Sequence, residues 1–253
     1  MLEKYIREGL KQKDILLMTH IVLGYPSFDD SLRIVETMVE AGVDLMELQI
    51  PFSEPTADGP VIVGANQKAL QYGTTVEKCF RTAEKITTGF DIPFLIMTYY
   101  NIPFTYGLDD FVARMADIRL RGAIIPDLPP EEGREYLDNM QKNSIDPILI
   151  FSPNTGTERM KYLEAHAAGF IYCVARKGVT GMETTFSNEL ASYLAQCRDA
   201  TRLPLAVGFG IKEKADISYL KGKADIAVIG SQTIRLVERE GVQAVGGFIR
   251  GLR

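Results

Sequence analysis

Eight short, mainly apolar runs alternate with amphipathic stretches along this chain, and that alternation limits the possible folds more than any other feature. The runs cover residues 16–23, 45–50, 94–97, 123–125, 147–150, 170–174, 205–207 and 226–229. Such runs are typical of strands buried on both faces, as in a parallel sheet. The amphipathic stretches predict helices at 31–41, 60–71, 76–87, 109–116, 130–142, 158–168, 188–198, 213–220 and 231–240.

Eight strands, each followed by a helix, favour a (β/α)8 barrel. No Pro- or Ser-rich linker divides the repeats, so we expect residues 1–253 to form a single barrel domain. Further helices are predicted at 2–11, before the first strand, and at 242–252. A doubly wound open sheet is the alternative, since the sequence does not reveal strand order.

Charge and cysteine content exclude several classes of protein. With 28 Lys and Arg against 33 Asp and Glu, the chain lacks the basic excess of a nucleic-acid or anionic-membrane binder. The longest uncharged stretch, 92–108, is interrupted by proline and glycine and does not predict a membrane span. Cys79, Cys173 and Cys197 form no C-x-x-C pair, and His20 and His166 match no metal-binding spacing. We therefore expect a cytoplasmic protein without a disulfide framework or a metal site.

Two carboxylates accompany the second predicted strand. Glu47 lies within the apolar run, where it is either a buried, partnered acid or a proton-transfer group at the barrel mouth. Asp58 follows in the loop before Gly59 and Pro60, where it is either a turn residue or a second functional acid. Because active sites of such barrels lie at the carboxyl ends of the strands, this pair is the first candidate for acid–base chemistry.

Small residues follow the last three predicted strands and indicate an anion site. Gly181 belongs to the loop after the sixth strand, Gly208 and Gly210 follow the seventh, and Gly230 and Ser231 follow the eighth. Glycines let backbone N–H groups approach a ligand closely, and Ser231 is predicted to cap the next helix. Tight turns are the plainer explanation for each glycine taken singly. Together they predict a phosphate site.

Other polar residues also lie near predicted strand ends. Tyr99 follows the third strand, Asp127 follows the fourth, and Tyr172 lies within the sixth. An aromatic residue in a strand is more often part of the core than of a site, and Asp127 can either orient a partner or stay solvated in its turn.

The stretch ELQIPFSEPTADGP at 47–60 closely resembles the signature of the tryptophan synthase α subunit family. The likeness extends along nearly the whole chain, through LGYP at 23–26, DLP at 127–129, RKGVTG at 176–181, GFGI at 208–211 and GS at 230–231. The resemblance implies a (β/α)8 barrel that cleaves indole-3-glycerol phosphate to indole and glyceraldehyde 3-phosphate by a retro-aldol reaction, without a cofactor.

The resemblance also implies roles for individual residues. Glu47 would exchange protons with the indole C3 and the glycerol hydroxyl, and Asp58 would bind the indole N–H and the positive charge that develops on the ring. For this division we expect Glu47 in an apolar wall, protonated at neutral pH, and Asp58 ionised. Tyr172 would line the site, and Thr180 would lie opposite Asp58 in a lid over 176–181. The remaining implied ligands are Tyr99 and Asp127 for the substrate and Gly181, Gly208, Gly210, Gly230 and Ser231 for its phosphate.

A partner is implied as well. In the family, the loop from Pro51 to Thr56 and the segment from Tyr100 to Phe104 face a β subunit that receives indole, as part of an α2β2 assembly. No nucleic acid or membrane is expected as a partner.

Four positions depart from the family pattern. Gln49 stands where glycine is usual, Glu54 where aspartate is usual, and Thr56 where leucine is common. His20 stands where the residue is usually apolar, at the barrel mouth beside the indole. The altered loop motivates an alternative hypothesis, a non-catalytic partner that binds a phosphorylated ligand and activates a β-type enzyme. A third hypothesis, another phosphate-binding barrel enzyme, would need a lysine at a strand end, and none of the apolar runs carries one.

Overall fold

Eight parallel strands close into a barrel in the structure, a computed structural model that describes residues 1–175, 188–208 and 210–253. The strands are β1 (Leu16–Val22), β2 (Leu45–Gln49), β3 (Phe94–Met97), β4 (Gly122–Ile124), β5 (Asp146–Phe151), β6 (Ile171–Val174), β7 (Leu205–Gly208) and β8 (Ile226–Ile229). Each strand pairs with the next in sequence, and β1 pairs with β8. The predicted barrel is therefore confirmed, because an open sheet would leave β1 and β8 unpaired with each other.

Helices surround the barrel at the predicted places, with small shifts at their ends. They are α1 (Leu2–Gly9), α2 (Phe28–Glu40), α3 (Pro60–Gln71), α4 (Val76–Gly89), α5 (Asn101–Tyr106), α6 (Leu108–Asp117), α7 (Arg134–Lys142), α8 (Thr157–Glu164), α9 (Asn188–Ala200), α10 (Lys214–Leu220), α11 (Ser231–Glu240) and α12 (Gln243–Gly251). The sequence analysis did not predict α5, since its six residues are too few to show a helical period. No helix in these ranges is long and apolar enough to cross a membrane.

Local capping explains several helix starts. The Ser27 hydroxyl accepts a hydrogen bond from the backbone N–H of Asp30 at 3.0 Å and caps α2. Thr75 caps α4 in the same way, and α3 begins with Pro60 in its first turn. Polar residues thus mark the points where the chain enters α2 and α4, and a proline marks the start of α3.

The barrel interior is apolar at one end and polar at the other. Leu16 and Met18 of β1 and Leu45 of β2 belong to the interior cluster, together with Leu2 and Ile6 of α1. The backbone N–H of Leu2 also donates to the Asp146 carboxylate at 3.0 Å. The predicted N-terminal helix therefore closes the end where the strands begin. The polar side chains that follow along β1 and β2 lie toward the opposite end, where the strands finish.

Candidate active site

Glu47 lies on β2 and is 4% exposed. It pairs in register with His20 on β1, so both side chains point to the same side of the sheet. The Nδ1 atom of His20 lies 3.0 Å from Oε1 of Glu47, within hydrogen-bond distance. The acid is therefore buried, as predicted, but it faces an imidazole and not the apolar wall that we expected. The imidazole belongs to His20 on the neighbouring strand β1, and the sequence of β2 alone does not show which residue lies beside Glu47.

Asp58 lies in the loop after β2 and is 7% exposed. Its Oδ2 atom accepts hydrogen bonds from the Gln49 side-chain amide at 2.8 Å and from the Tyr99 hydroxyl at 3.0 Å. The Tyr99 hydroxyl in turn accepts from the backbone N–H of Ala57 at 3.0 Å. Tyr99 and Gln49 thus hold the loop and its carboxylate against the ends of β2 and β3.

Asn66 of α3 extends this network below the loop. Its Oδ1 atom accepts from the backbone N–H of Phe52 at 2.9 Å, and its amide donates to the Ile62 carbonyl at 2.8 Å and to Oε1 of Gln49 at 3.3 Å. With Oε1 of Gln49 accepting from Asn66, the Gln49 amide N–H is free to donate to Asp58. Asn66 therefore orients Gln49, and Gln49 orients the acid.

Burial raises the pKa of Asp58, although nearby His20, Gln49 and Tyr99 lower it in part and Glu47 adds to the rise. A raised pKa makes this carboxyl group easier to protonate, and its ionisation at neutral pH stays a prediction. The influence of Glu47 also shows that the two carboxylates lie close enough to interact. Both carboxylates are shielded from solvent, so the charge of each affects the protonation of the other.

Tyr172 on β6 lies near the same two carboxylates. Burial raises the pKa of its hydroxyl, and the charges of Glu47 and Asp58 raise it further, so the group stays protonated and available as a donor. A Cβ atom added to Gly208 would lie 3.0 Å from the Tyr172 hydroxyl oxygen. Gly208 therefore leaves the space that the tyrosine occupies, a packing reason for glycine besides the predicted anion site.

The predicted phosphate residues are only partly described. Gly230 precedes α11 near the polar end of the barrel, and a Cβ atom added there would lie 3.7 Å from Cβ of His20. Gly210 has a φ of 85°, in the left-handed region that favours glycine. The prediction that Ser231 caps the next helix is wrong, because Ser231 is the first residue of α11 and Gly230 occupies the capping position. Thr180 and Gly181 lie outside the described residues.

Asp127 is exposed and does not join the buried acids. Its Oδ1 atom accepts a hydrogen bond from the backbone N–H of Tyr100 at 2.9 Å, next to the start of α5. The structure therefore gives Asp127 a part in holding the segment after β3, and no contact with Glu47 or Asp58 is recorded for it.

Gln49 and Asn66 belong to the site although no sequence argument assigned them to it, whereas His20 was expected at the barrel mouth. A usable signal existed for Gln49, which stands two residues after Glu47 and therefore on the same side of β2. His20 and Asn66 lie on other elements, and only the pairing of β1 with β2 and the packing of α3 bring them to the carboxylates.

The closed barrel and its buried acid cluster at the carboxyl ends of the strands define a (β/α)8-barrel protein with the site position common to barrel enzymes. A family model described as "Tryptophan synthase alpha chain" matches residues 7–247. A tryptophan synthase alpha chain from Desulforapulum autotrophicum is 65% identical over 252 residues, which cover 100% of both chains.

Solved structures agree with this match. The tryptophan synthase subunit alpha from Legionella pneumophila is 30% identical, with a TM-score of 0.89 over 99% of this chain and 96% of that one. A chain of the tryptophan synthase complex from Pyrococcus furiosus is 25% identical, with a TM-score of 0.86 over 94% of this chain and 97% of that one. The chain belongs to the tryptophan synthase alpha chain family, and with it to the lyases of tryptophan biosynthesis.

Proposed function

We propose that this protein cleaves indole-3-glycerol phosphate to indole and glyceraldehyde 3-phosphate, with Glu47 and Asp58 as its catalytic residues. The observation that carries the proposal is the pair of buried, interacting carboxylates at the barrel mouth of a chain from this family. The reaction breaks the bond between indole C3 and the glycerol chain. It needs a proton delivered to C3, a proton removed from the adjacent hydroxyl, and an anion near the ring nitrogen.

Glu47 serves the carbon end of the ring in this proposal. Its carboxyl group gives a proton to C3 and takes one from the hydroxyl, so each turnover returns the group to its starting state. Asp58 serves the nitrogen end, since an ionised carboxylate there accepts the indole N–H and balances the developing positive charge. Substrate binding supports this assignment electrostatically, because a hydrogen bond from the ring nitrogen favours the ionised form of Asp58. Tyr172 and Tyr99 line the ring pocket in the proposal.

The phosphate end supplies binding energy remote from the reacting carbon. We assign it to the backbone around Gly208 and Gly210 and to Gly230 and Ser231 at the start of α11, with Gly181 completing the site. Thr180 is proposed to bind the substrate opposite Asp58. Asp127 keeps only an indirect role, through the segment that it holds after β3.

A β subunit is the proposed partner, in an α2β2 assembly. Phe104 on α5 is 66% exposed, and its ring lies 6.0 Å from that of Tyr100, centroid to centroid. Tyr99 joins this region to the loop from Pro51 to Thr56 through its bond to Ala57. An exposed aromatic beside an exposed loop is typical of a protein-binding surface. We place the protein in the cytoplasm, a location that suits its three free thiols.

Indole release from indole-3-glycerol phosphate, measured with the chain alone and with a β subunit, tests the reaction. Glu47→Gln should lower kcat about 10²–10⁴-fold, the usual contribution of a general acid–base. The matched control is Glu158→Gln, since the Glu158 side chain is 91% exposed and lies on the outer helix α8, whereas Glu47 is buried. If Glu47→Gln kept most of the activity, Glu47 would not be the proton-transfer group. Ligand binding and β-subunit activation without cleavage would favour the non-catalytic alternative.

Binding of the β subunit tests the partner surface. Phe104→Ala should weaken the complex about tenfold or more, the loss expected for an aromatic anchor of an interface. Tyr72→Ala is the control, because Tyr72 is 71% exposed and follows the far end of α3, the end remote from the loop. Equal affinities for the two variants in a titration of labelled α chain would rule out the proposed surface.

A further inference from the structure

The proposed mechanism does not use the contact between His20 and Glu47. His20 is 3% exposed and offers Nδ1 to Oε1 of Glu47 at 3.0 Å. The other ring nitrogen, Nε2, is buried and has no hydrogen-bond partner among the described residues. Buried polar atoms are normally satisfied, and leaving one unpaired costs about 1–3 kcal/mol. A histidine held in this way at the mouth of a barrel requires an explanation besides packing.

The surroundings of His20 are dominated by negative charge. Glu47 and Gln49 face it from β2, and Asp58 faces it from the loop that follows. Gly230, next to its Cβ on the β8 side, carries no side chain, and Tyr172 approaches the two carboxylates from β6. Burial alone would disfavour an imidazolium, yet Glu47, with Asp58 and Gln49, leaves the pKa of His20 raised. The imidazole and the carboxylate lie 3.0 Å apart, close enough for one proton to move between them.

We propose that His20 is a positioning residue that shares one proton with Glu47 and keeps that acid supplied during C–C cleavage. The proposal rests on the proposed function. In the cleavage step the shared proton moves from Nδ1 of His20 to Oε1 of Glu47 and from Glu47 to indole C3, which leaves a neutral imidazole and a carboxylate. The proton that leaves the glycerol hydroxyl then returns to the pair, so one proton enters and one leaves in each turnover.

Histidine NMR tests the shared proton without reference to turnover. The chain has two histidines, so the imidazole Hε1 protons give two NMR signals. In His166→Gln only the signal of His20 remains, which identifies it. We expect His20 in Glu47→Gln to lose its proton at least one pH unit lower than in the wild-type chain, because burial then acts without the carboxylate. Glu158→Gln should leave the titration unchanged. An unaltered His20 titration in Glu47→Gln would overturn the proposal.

The pH profile of kcat/KM for indole release tests the role in the reaction, using two variants. His20→Leu removes both the hydrogen bond and the proton, whereas His20→Asn keeps an N–H donor near the Nδ1 position but cannot carry the proton. We expect the alkaline limb of the pH profile to move to lower pH by at least one unit in both variants, because a carboxyl group alone releases its proton at lower pH than an imidazole. At a given pH on that limb, kcat/KM should fall about tenfold. KM should change by less than about threefold, because His20 acts through Glu47.

A purely structural role for His20 predicts a different result. His20→Asn would then restore the wild-type limb, and that outcome would refute proton sharing. Should His20→Leu fail to fold, as judged by circular dichroism, His20→Asn alone decides the question. If the wild-type chain released no indole, with or without a β subunit, the proposed reaction would fail, and the NMR titration would still decide whether the pair shares a proton.

Discussion

The hydroxyl of Tyr99 is the most informative single group to remove, because it links the loop after β2 to Asp58. Tyr99 is 1% exposed, donates to Oδ2 of Asp58 at 3.0 Å and accepts from the Ala57 N–H at 3.0 Å. A hydrogen bond to a charged group contributes about 1.5–3 kcal/mol, and one between neutral groups about 0.5–1.5 kcal/mol. Ala57 is exposed, so water can replace its partner and the second bond adds little.

We therefore expect Tyr99→Phe to lower the free energy of unfolding by about 2–3 kcal/mol at neutral pH. In a chain of this length each kcal/mol lowers Tm by about 2–4 °C. Urea unfolding monitored by circular dichroism measures the change, and kcat/KM should fall as well because Asp58 loses a donor that positions it. At a pH where Asp58 is protonated, the lost bond is between neutral groups and the difference should narrow to about 1 kcal/mol.

Tyr136→Phe is the matched control. The Tyr136 hydroxyl is buried like that of Tyr99, but it has no hydrogen-bond partner among the described residues. Its removal should therefore leave stability unchanged within about 0.5 kcal/mol or increase it. If Tyr99→Phe destabilised the protein no more than Tyr136→Phe, the hydroxyl network would not hold the loop.

Three further predictions concern stability and packing. Asp58→Asn should abolish cleavage yet stabilise the fold at neutral pH. Folding raises the pKa of Asp58, so the wild type loses stability as pH rises from the pKa of the unfolded state to that of the folded state. The gain in the free energy of unfolding is about 1.4 kcal/mol per unit of pKa shift and should vanish in unfolding curves recorded in acid. Gly208→Ala should lower kcat/KM and cost about 1–3 kcal/mol by crowding the Tyr172 hydroxyl, and adding Tyr172→Phe should recover part of the loss in thermal unfolding. Ser27→Ala should cost about 1 kcal/mol in urea unfolding without changing kcat, since it removes only the cap of α2.

The strands, most of the helices and the strand that carries the acid could be predicted from residue types and spacing, which left strand order and barrel closure open. Buried parallel strands need apolar residues on both faces, so the strands of this fold appear in the sequence as short, mostly apolar runs. Helices facing solvent on one side keep a helical period, and α3 begins and ends where that period predicts. Glu47 and Asp58 could be chosen because they interrupt or follow such a run and match a family motif.

Tertiary structure decided what surrounds those acids. The partner of Glu47 comes from β1, and it depends on the register in which β1 pairs with β2, which no local pattern encodes. The closure of β1 on β8 and the placement of α1 across the barrel floor likewise join segments that are distant in sequence. Asp127 was a candidate site residue because it follows a strand, but its carboxylate accepts a hydrogen bond from the Tyr100 N–H and does not join the buried acids. Residue types and their spacing report how each segment is buried, whereas the contacts between segments arise only when the barrel closes.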